Sequence, residues 1–340
     1  MFESFADFAG HSLVTARQDR ASGLKAVIAI HNDNRGPAIG GCRILPYPTM
    51  SEAVRDVLRL SRGMTYKTAI ADIPYGGGKA VIVADPRRDK DDVLLEAMGD
   101  FVESLGGRYI TSFDSGTTMD DVQVIARRTG HAAGFLPEAG NASGSTALGV
   151  YHCMLTAAEK VGGSGSLAGL TVAIQGVGNV GERLAHLLSR DGANLILADV
   201  DTTKAHALAE ATGAKVVDSA AILREHCDIL APCALGGVFS SATIPELNTR
   251  AIVGGANNQL ALPEDDTRLA ERGILYCPDY LANAGGIIDL HYQRSHWDPA
   301  AVERHVTSLG ETFREVIARA EREKRPTGEI ADSIAEERFR

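Results

Sequence analysis

The stretch Leu170-Thr-Val-Ala-Ile-Gln175 runs directly into Gly176-Val-Gly178-Asn179-Val180-Gly181. An apolar run feeds a glycine turn, and the turn opens onto Asn179–Arg190, which reads as a helix. The same rhythm continues downstream. Strand Asn194–Asp199 leads to helix Thr203–Thr212, and strand Lys215–Val217 to helix Ser219–His226. Strands Asp228–Ala231 and Ala251–Val253 follow. Strands alternating with helices of this length predict a parallel, doubly wound sheet.

Within that sheet the glycines have distinct tasks. Gly176 permits the tight turn, Gly178 lets a pyrophosphate approach the backbone, and Gly181 lets the helix pack close to the strand. The helix start, with Asn179 and Val180, offers N–H groups to the anion. Asp199 ends the next strand at the spacing of a ribose-binding acid. Its carboxylate would repel a 2′-phosphate, and Val200 and Asp201 follow with no arginine at hand. The pattern therefore predicts a Rossmann-type domain that takes NAD rather than NADP.

The N-terminal part reads as a different α/β unit. Leu24–His31, Ala38–Leu45, Lys79–Ala84 and Arg108–Ser112 are strand candidates; Ser51–Arg62, Asp91–Leu105 and Thr118–Arg128 are helix candidates. The Gly-, Pro-, Ser- and Asn-rich run 134–145 marks the junction. The expected organisation is residues 1–140 as a substrate-binding and oligomerisation domain and 141–309 as the nucleotide domain. The tail 310–340 is expected to return to the first domain, since its apolar face needs a partner.

The first domain carries the chemical candidates. Three glycines precede Lys79, so the backbone there can come close to a small ligand. Lys67 lies in a second unusual segment, and Asp114 in a third. Two lysines converging on one pocket would repel. One could then bind a carboxylate while the other serves as a base, with a nearby carboxylate ferrying protons.

Composition limits the alternatives. The 340 residues suggest two domains. A net charge of −10 without a long basic block argues against a general nucleic-acid or anionic-membrane binder. No apolar run approaches the roughly 20 residues of a membrane span, and Met1–Gly10 does not read as a secretory signal. Five scattered cysteines suggest reduced thiols in a cytoplasmic protein rather than a disulfide or zinc framework. His291, His296 and Trp297 lack acidic or cysteine partners at ligand spacing, so no metal is expected.

Taken together, GPAIGGCR (36–43), GMTYK (63–67), PYGGGKAVI (74–82), SFDSGTT (112–118), QGVGNVG (175–181), APCALGG (231–237), GGANNQL (254–260) and YLANAGG (280–286) resemble the glutamate/leucine/phenylalanine/valine dehydrogenases. The likeness spans nearly the whole chain and is greatest to the leucine, phenylalanine, valine and tryptophan branches. It implies that Lys67 binds the substrate carboxylate, with Gly40 and Gly41 approaching by backbone. It implies that Lys79 is the base and that Asp114 handles the amino-group proton. Thr146 and Asn258 match positions at the nicotinamide carboxamide, Cys233 and Ala234 a loop near its ribose, and 283–286 a segment framing the substrate. The implied reaction is oxidative deamination to a 2-oxo acid and ammonia, and its reverse, on closure of the two domains.

In the glutamate branch a lysine and a serine hold the distal carboxylate. Ile39 and Leu290 stand at the matching positions, where a buried carboxylate would be strongly unfavourable. Ile39, Met64, Ala133, Ile287 and Leu290 would form an apolar pocket suited to leucine, valine or isoleucine, with phenylalanine or another aromatic amino acid as the alternative. Phe113 and Asp289 depart from the usual pattern and bear on this choice. Two other classes remain: a different two-domain NAD-dependent oxidoreductase, and a nucleotide sensor without turnover. The family likeness also implies a homo-oligomer.

Overall fold

The computed structural model describes residues 2–139, 142–234 and 236–340. The expected domain boundary at 140/141 and Leu235 of the APCALGG motif lie outside the described residues. The chain divides into two compact units: residues 1–140, 290–297 and 335–340, and residues 141–289 and 298–334.

The first unit contains β1 (Leu13–Gln18), β2 (Lys25–Asn32), β3 (Ala38–Leu45), α1 (Met50–Ile70), β4 (Gly76–Val83), α2 (Asp92–Glu103), β5 (Tyr109–Phe113) and α3 (Met119–Ala126). Its sheet order is β1-β2-β4-β3-β5. The first two pairings are antiparallel, and β3 lies parallel to both β4 and β5. Strand β1 is an addition to the strands expected from sequence: half-buried positions dominate it and it pairs with β2 alone, so its alternation is weak.

One face of this sheet holds Ile28, Ile30, Cys42, Ile44 and Ile82 against Leu95, Met98 and Val102 of α2 and Ile125 of α3. The other face packs Val27, Ala29 and Val81 against Val54, Val57 and Leu58 of α1. Each such buried aliphatic side chain stabilises the fold by about 1.5–3 kcal/mol. Thr49 starts α1 through a reciprocal capping box with Glu52. The helix then runs past the expected end at Arg62 to Ile70. Gly63 sits on an open face, with nothing near the place a Cβ would take, so it tolerates helical geometry, and the GMTYK segment is helical.

The second unit begins with α4 (Ser143–Val161), then β6 (Thr171–Gln175), α5 (Asn179–Arg190), β7 (Asn194–Ala198), α6 (Thr202–Thr212), β8 (Lys215–Val216), β9 (Cys227–Pro232), β10 (Thr249–Ile252), α7 (Glu264–Glu271), β11 (Leu275–Tyr276) and α8 (Asp279–Ala282). All its strands are parallel, in the order β11-β10-β9-β6-β7-β8. Counted from β6, this is the 3-2-1-4-5-6 order of a Rossmann sheet. The helix expected at Ser219–His226 is only a single tight turn at Ile222–Arg224. Asp218 takes the Ala220 N–H at 2.7 Å and turns the chain before a helix can start.

Three more helices complete the chain: α9 (Gly285–Ser295), α10 (Pro299–Glu323) and α11 (Thr327–Phe339). The tail rejoins the first unit later than residue 310. The apolar stripe of α10, Val302, Val306, Leu309 and Phe313, is buried, and α10 lies along α4 within the second unit. Only 290–297 and 335–340 belong with the first unit. There Arg338 donates to the carbonyls of Ala69 and Ile70, Glu336 accepts from the Tyr66 hydroxyl at 2.9 Å, and Phe339 meets Tyr66 edge to face. The Arg338 bonds engage carbonyls at the C-terminal end of α1. All five cysteines are free, and four are buried. Among the described residues no helix is long and apolar enough to cross a membrane.

Candidate active site

The first unit's chemistry is organised by glycines. The register that pairs Ile39 with Gly77 and Cys42 with Ala80 sets Gly41 of β3 beside Lys79 of β4. On its other side Gly41 pairs with Ser112 of β5. Strand β3 therefore lies between Lys79 and Asp114, which follows β5. A Cβ on Gly41 would stand 2.8 Å from the Asp114 side chain and 2.4 Å from the Phe113 carbonyl. Because no side chain is there, the Lys79 ammonium reaches over β3 and meets Asp114 Oδ2 at 2.6 Å. The sheet is close-packed elsewhere for the same reason. A Cβ on Gly77 would meet the Thr65 nitrogen at 2.0 Å, so the α1 backbone lies directly on β4. Tyr109 spreads its ring over Gly78 and donates its hydroxyl to the Gly40 carbonyl at 2.6 Å.

Lys79 is buried at 7% exposure, and a carboxylate stands beside it. Asp114 accepts a second cation: Arg43 Nε lies 3.0 Å from the same Oδ2. Burial alone would raise the Asp114 pKa, but the charges of Lys79 and Arg43 outweigh it and hold the carboxyl well below the usual range. Such a pair can take and return a proton at one place. Lys67 is half-buried on α1, one turn beyond Met64, whose side chain would touch a Cβ on Gly40.

The expected side-chain pocket is distributed as follows. Ile39 is fully enclosed in β3, and Ala133 follows an isolated bridge to β5. Leu290 closes on Gly134, as does the Phe113 ring: a Cβ there would lie 2.9 Å from Leu290 and 3.2 Å from Phe113. Ile287 is buried in the second unit. Asp289 is also buried there and accepts from the Ser145 hydroxyl at 2.6 Å. His291 meets Tyr75 edge to face in the first unit. Among the described residues no three His, Cys, Asp or Glu side chains are grouped to hold a metal ion.

The second unit gathers the nucleotide candidates. Gly176 adopts φ +96°, and a Cβ on Gly181 would meet its carbonyl at 2.0 Å, so the helix starts hard against the turn. Gly178 is exposed, with open space where a Cβ would be, and α5 has no side-chain cap at its N-terminus. Asn179 is exposed and Val180 half-buried. The Cys233 N–H donates to the Gln175 carbonyl at 2.7 Å, and Ala234 would collide with a Cβ on Gly176. Asn258 holds φ +52°, and its N–H is fixed by Asp279 at 2.7 Å. Thr146 lies against Gly286. Asp199 closes the site from the end of β7, accepting the Val177 N–H at 2.7 Å and the Asp201 N–H at 2.9 Å. An uncapped helix N-terminus, an open glycine and a fixed carboxylate together fit a dinucleotide.

Sequence reasoning overlooked Arg43, Asp56 and Tyr109. Arg43 stands inside the GGCR motif, and that position was the available signal.

The family comparisons agree with this layout. Residues 11–131 match the model described as Glu/Leu/Phe/Val dehydrogenase, dimerisation domain. Residues 140–203 and 197–338 match the model for glutamate/leucine/phenylalanine/valine dehydrogenase. The chain is 45% identical to a leucine dehydrogenase of Geobacillus stearothermophilus over 95% of its length and 89% of the relative's. It is 45% identical to a valine dehydrogenase of Streptomyces virginiae, covering 98% of this chain and 95% of that one. The crystal structure of L-tryptophan dehydrogenase from Nostoc punctiforme superposes with a TM-score of 0.88 at 41% identity, covering 100% of this chain and 98% of that one.

Proposed function

As a member of the glutamate/leucine/phenylalanine/valine dehydrogenase family, the protein is an amino-acid dehydrogenase, and we propose that it uses NAD to deaminate apolar L-amino acids of the branched-chain, leucine-like type. The observation that carries this reading is the buried Lys79–Asp114 pair, joined at 2.6 Å over a glycine of the intervening strand.

In this reading Lys67 binds the substrate carboxylate, with the backbone of Gly40 and Gly41 alongside. The glycine turn 176–181 and Asp199 would hold NAD, which would supply the acceptor for a hydride from the substrate Cα. Asp114 takes the proton lost by the substrate ammonium. Lys79 removes a proton from the water that attacks the resulting iminium carbon. Asp114 then returns a proton to nitrogen, ammonia leaves and carries away the carbinol hydroxyl proton as ammonium, and the 2-oxo acid remains. Water and the amino acid supply the atoms, and the hydride accounts for the two electrons.

The apolar residues at 39 and 290 leave no cation for a distal carboxylate, which disfavours glutamate. Enclosed Ile39, with Leu290 and the Phe113 ring both set against Gly134, favours a compact branched side chain. Following NADH absorbance with a panel of amino acids tests this. Leucine, valine and isoleucine should turn over faster than phenylalanine and tryptophan, and glutamate should give no signal. A higher kcat/KM for phenylalanine would transfer the preference to aromatic substrates. Turnover of hydroxy acids alone would overturn the reading.

The cofactor choice has its own test. Asp199→Asn removes the charge and keeps a polar side chain at the turn. A hydrogen bond to a charged group contributes about 1.5–3 kcal/mol, so the KM for NAD should rise about tenfold or more while discrimination against NADP falls. An unchanged NAD/NADP ratio would remove Asp199 from the site. We further read the protein as a cytoplasmic homo-oligomer. Free, mostly buried cysteines support the compartment, and the dimerisation-domain match supports the assembly.

A further inference from the structure

Five charges alternate in sign through the first unit: Lys79, Asp114, Arg43, Asp56 and Arg59. Lys79 Nζ meets Asp114 Oδ2 at 2.6 Å, and Arg43 Nε meets the same oxygen at 3.0 Å. Arg43 Nη1 reaches Asp56 Oδ2 at 3.0 Å, and Arg59 Nη2 reaches Asp56 Oδ1 at 2.9 Å. The Tyr47 hydroxyl donates to Asp56 Oδ2 at 2.6 Å. Arg43 and Asp56 are both largely buried, at 18% and 16% side-chain exposure. Lys79 on β4 and Arg43 on β3 hold the Asp114 carboxylate, and Asp56 on α1 holds Arg43.

Arg43 is committed to two carboxylates and is therefore a poor receptor for the substrate's own carboxylate. Its two bonds point along the guanidinium fork, which fixes direction as well as charge. Both cations engage the same oxygen of Asp114, which leaves the other oxygen outside those two bonds. We propose that Arg43, anchored by Asp56, is a positioning residue that sets the rotation and charge of Asp114 for proton exchange with the substrate nitrogen. The proposal rests on the amino-acid dehydrogenase reading, in which Asp114 carries that proton. The charged groups facing the Asp114 carboxylate are Lys79 from β4 and Arg43 from β3. Nearby, the buried Cys42 thiol feels both Asp114 and Asp121 of α3. Arg43 is thus one of two cations that keep Asp114 ionised.

The test compares Arg43→Gln, Arg43→Lys and Asp56→Asn with the wild type. Steady-state rates with leucine are measured across pH, and NADH binding gives the number of folded sites. Arg43→Gln should lower kcat per NADH site by about 10- to 100-fold, with KM for leucine changing less than about threefold. Loss of one cation lets Asp114 hold its proton to higher pH, so the acid limb of kcat/KM should move upward. Arg43→Lys keeps the charge and loses the fork. It should restore the acid limb while recovering only part of kcat. Asp56→Asn should lower kcat without moving the limb upward.

Wild-type kcat and an unmoved acid limb in Arg43→Gln would overturn the proposal, as would a change confined to KM. If Arg43→Gln does not fold, Asp56→Asn decides: a wild-type kcat there overturns it equally. A wild type that oxidises no amino acid is a separate result, since it defeats the functional reading itself before any variant is compared.

Discussion

Replacing Lys79 with alanine should reduce turnover by about 10²–10⁴-fold, the usual contribution of a positioned acid–base group, while NADH binding stays near wild type. The two outcomes separate because Lys79 stands on β4 of the first unit, whereas the glycine turn belongs to the second. The variant would also leave Asp114 with Arg43 as its remaining cation. Lys79 is buried at the end of a glycine run, so truncation removes a charge that the fold holds in one place. The measurement is kcat with leucine, in parallel with NADH fluorescence titration. Retention of even a tenth of the wild-type rate would mean that another group activates the water.

The second large effect concerns backbone. Gly40→Ala places a Cβ 1.8 Å from the Gly78 carbonyl oxygen and 2.8 Å from its carbon. The obstacle is the adjacent strand itself, so relief requires β3 and β4 to separate where they hold Arg43 and Lys79. Overpacking of this kind costs about 1–3 kcal/mol or more. Thermal unfolding should start several degrees lower, at about 2–4 °C per kcal/mol for a unit of this size, and kcat should fall with it. Gly63→Ala is the control. It sits in α1 with no atom within 4 Å of the added Cβ and should be neutral or slightly stabilising. Equal melting curves for Gly40→Ala and wild type would mean that the strands yield freely there.

The second unit was the more legible half of the sequence. Its strands are short apolar runs, its helices have their own period, and each glycine of the turn has a local backbone reason. The first unit was legible in its motifs but not in its contacts. Lys79 and Asp114 meet only because β3, earlier in sequence than both, is inserted between their strands and lacks a side chain at residue 41. No periodicity carries that information. Arg43 was missed for a related reason. Alone, an arginine at a strand position reads as an edge charge, and its two carboxylate partners lie 13 and 71 residues away. The tail was placed with the wrong unit from residue 310 because an apolar helical face announces that it needs cover, not which surface supplies it. The Lys79–Asp114 ion pair likewise depends on a strand order that only the three-dimensional sheet creates.

The first unit is sewn from three separate pieces of chain, and its last stitches are Glu336, Arg338 and Phe339 on the end of α1. During synthesis the nucleotide half can therefore complete its parallel sheet before the ribosome has delivered the residues that secure the lysine-bearing helix. The unit that carries Lys79 and Asp114 thus draws on α11 as well, although most of it is made first.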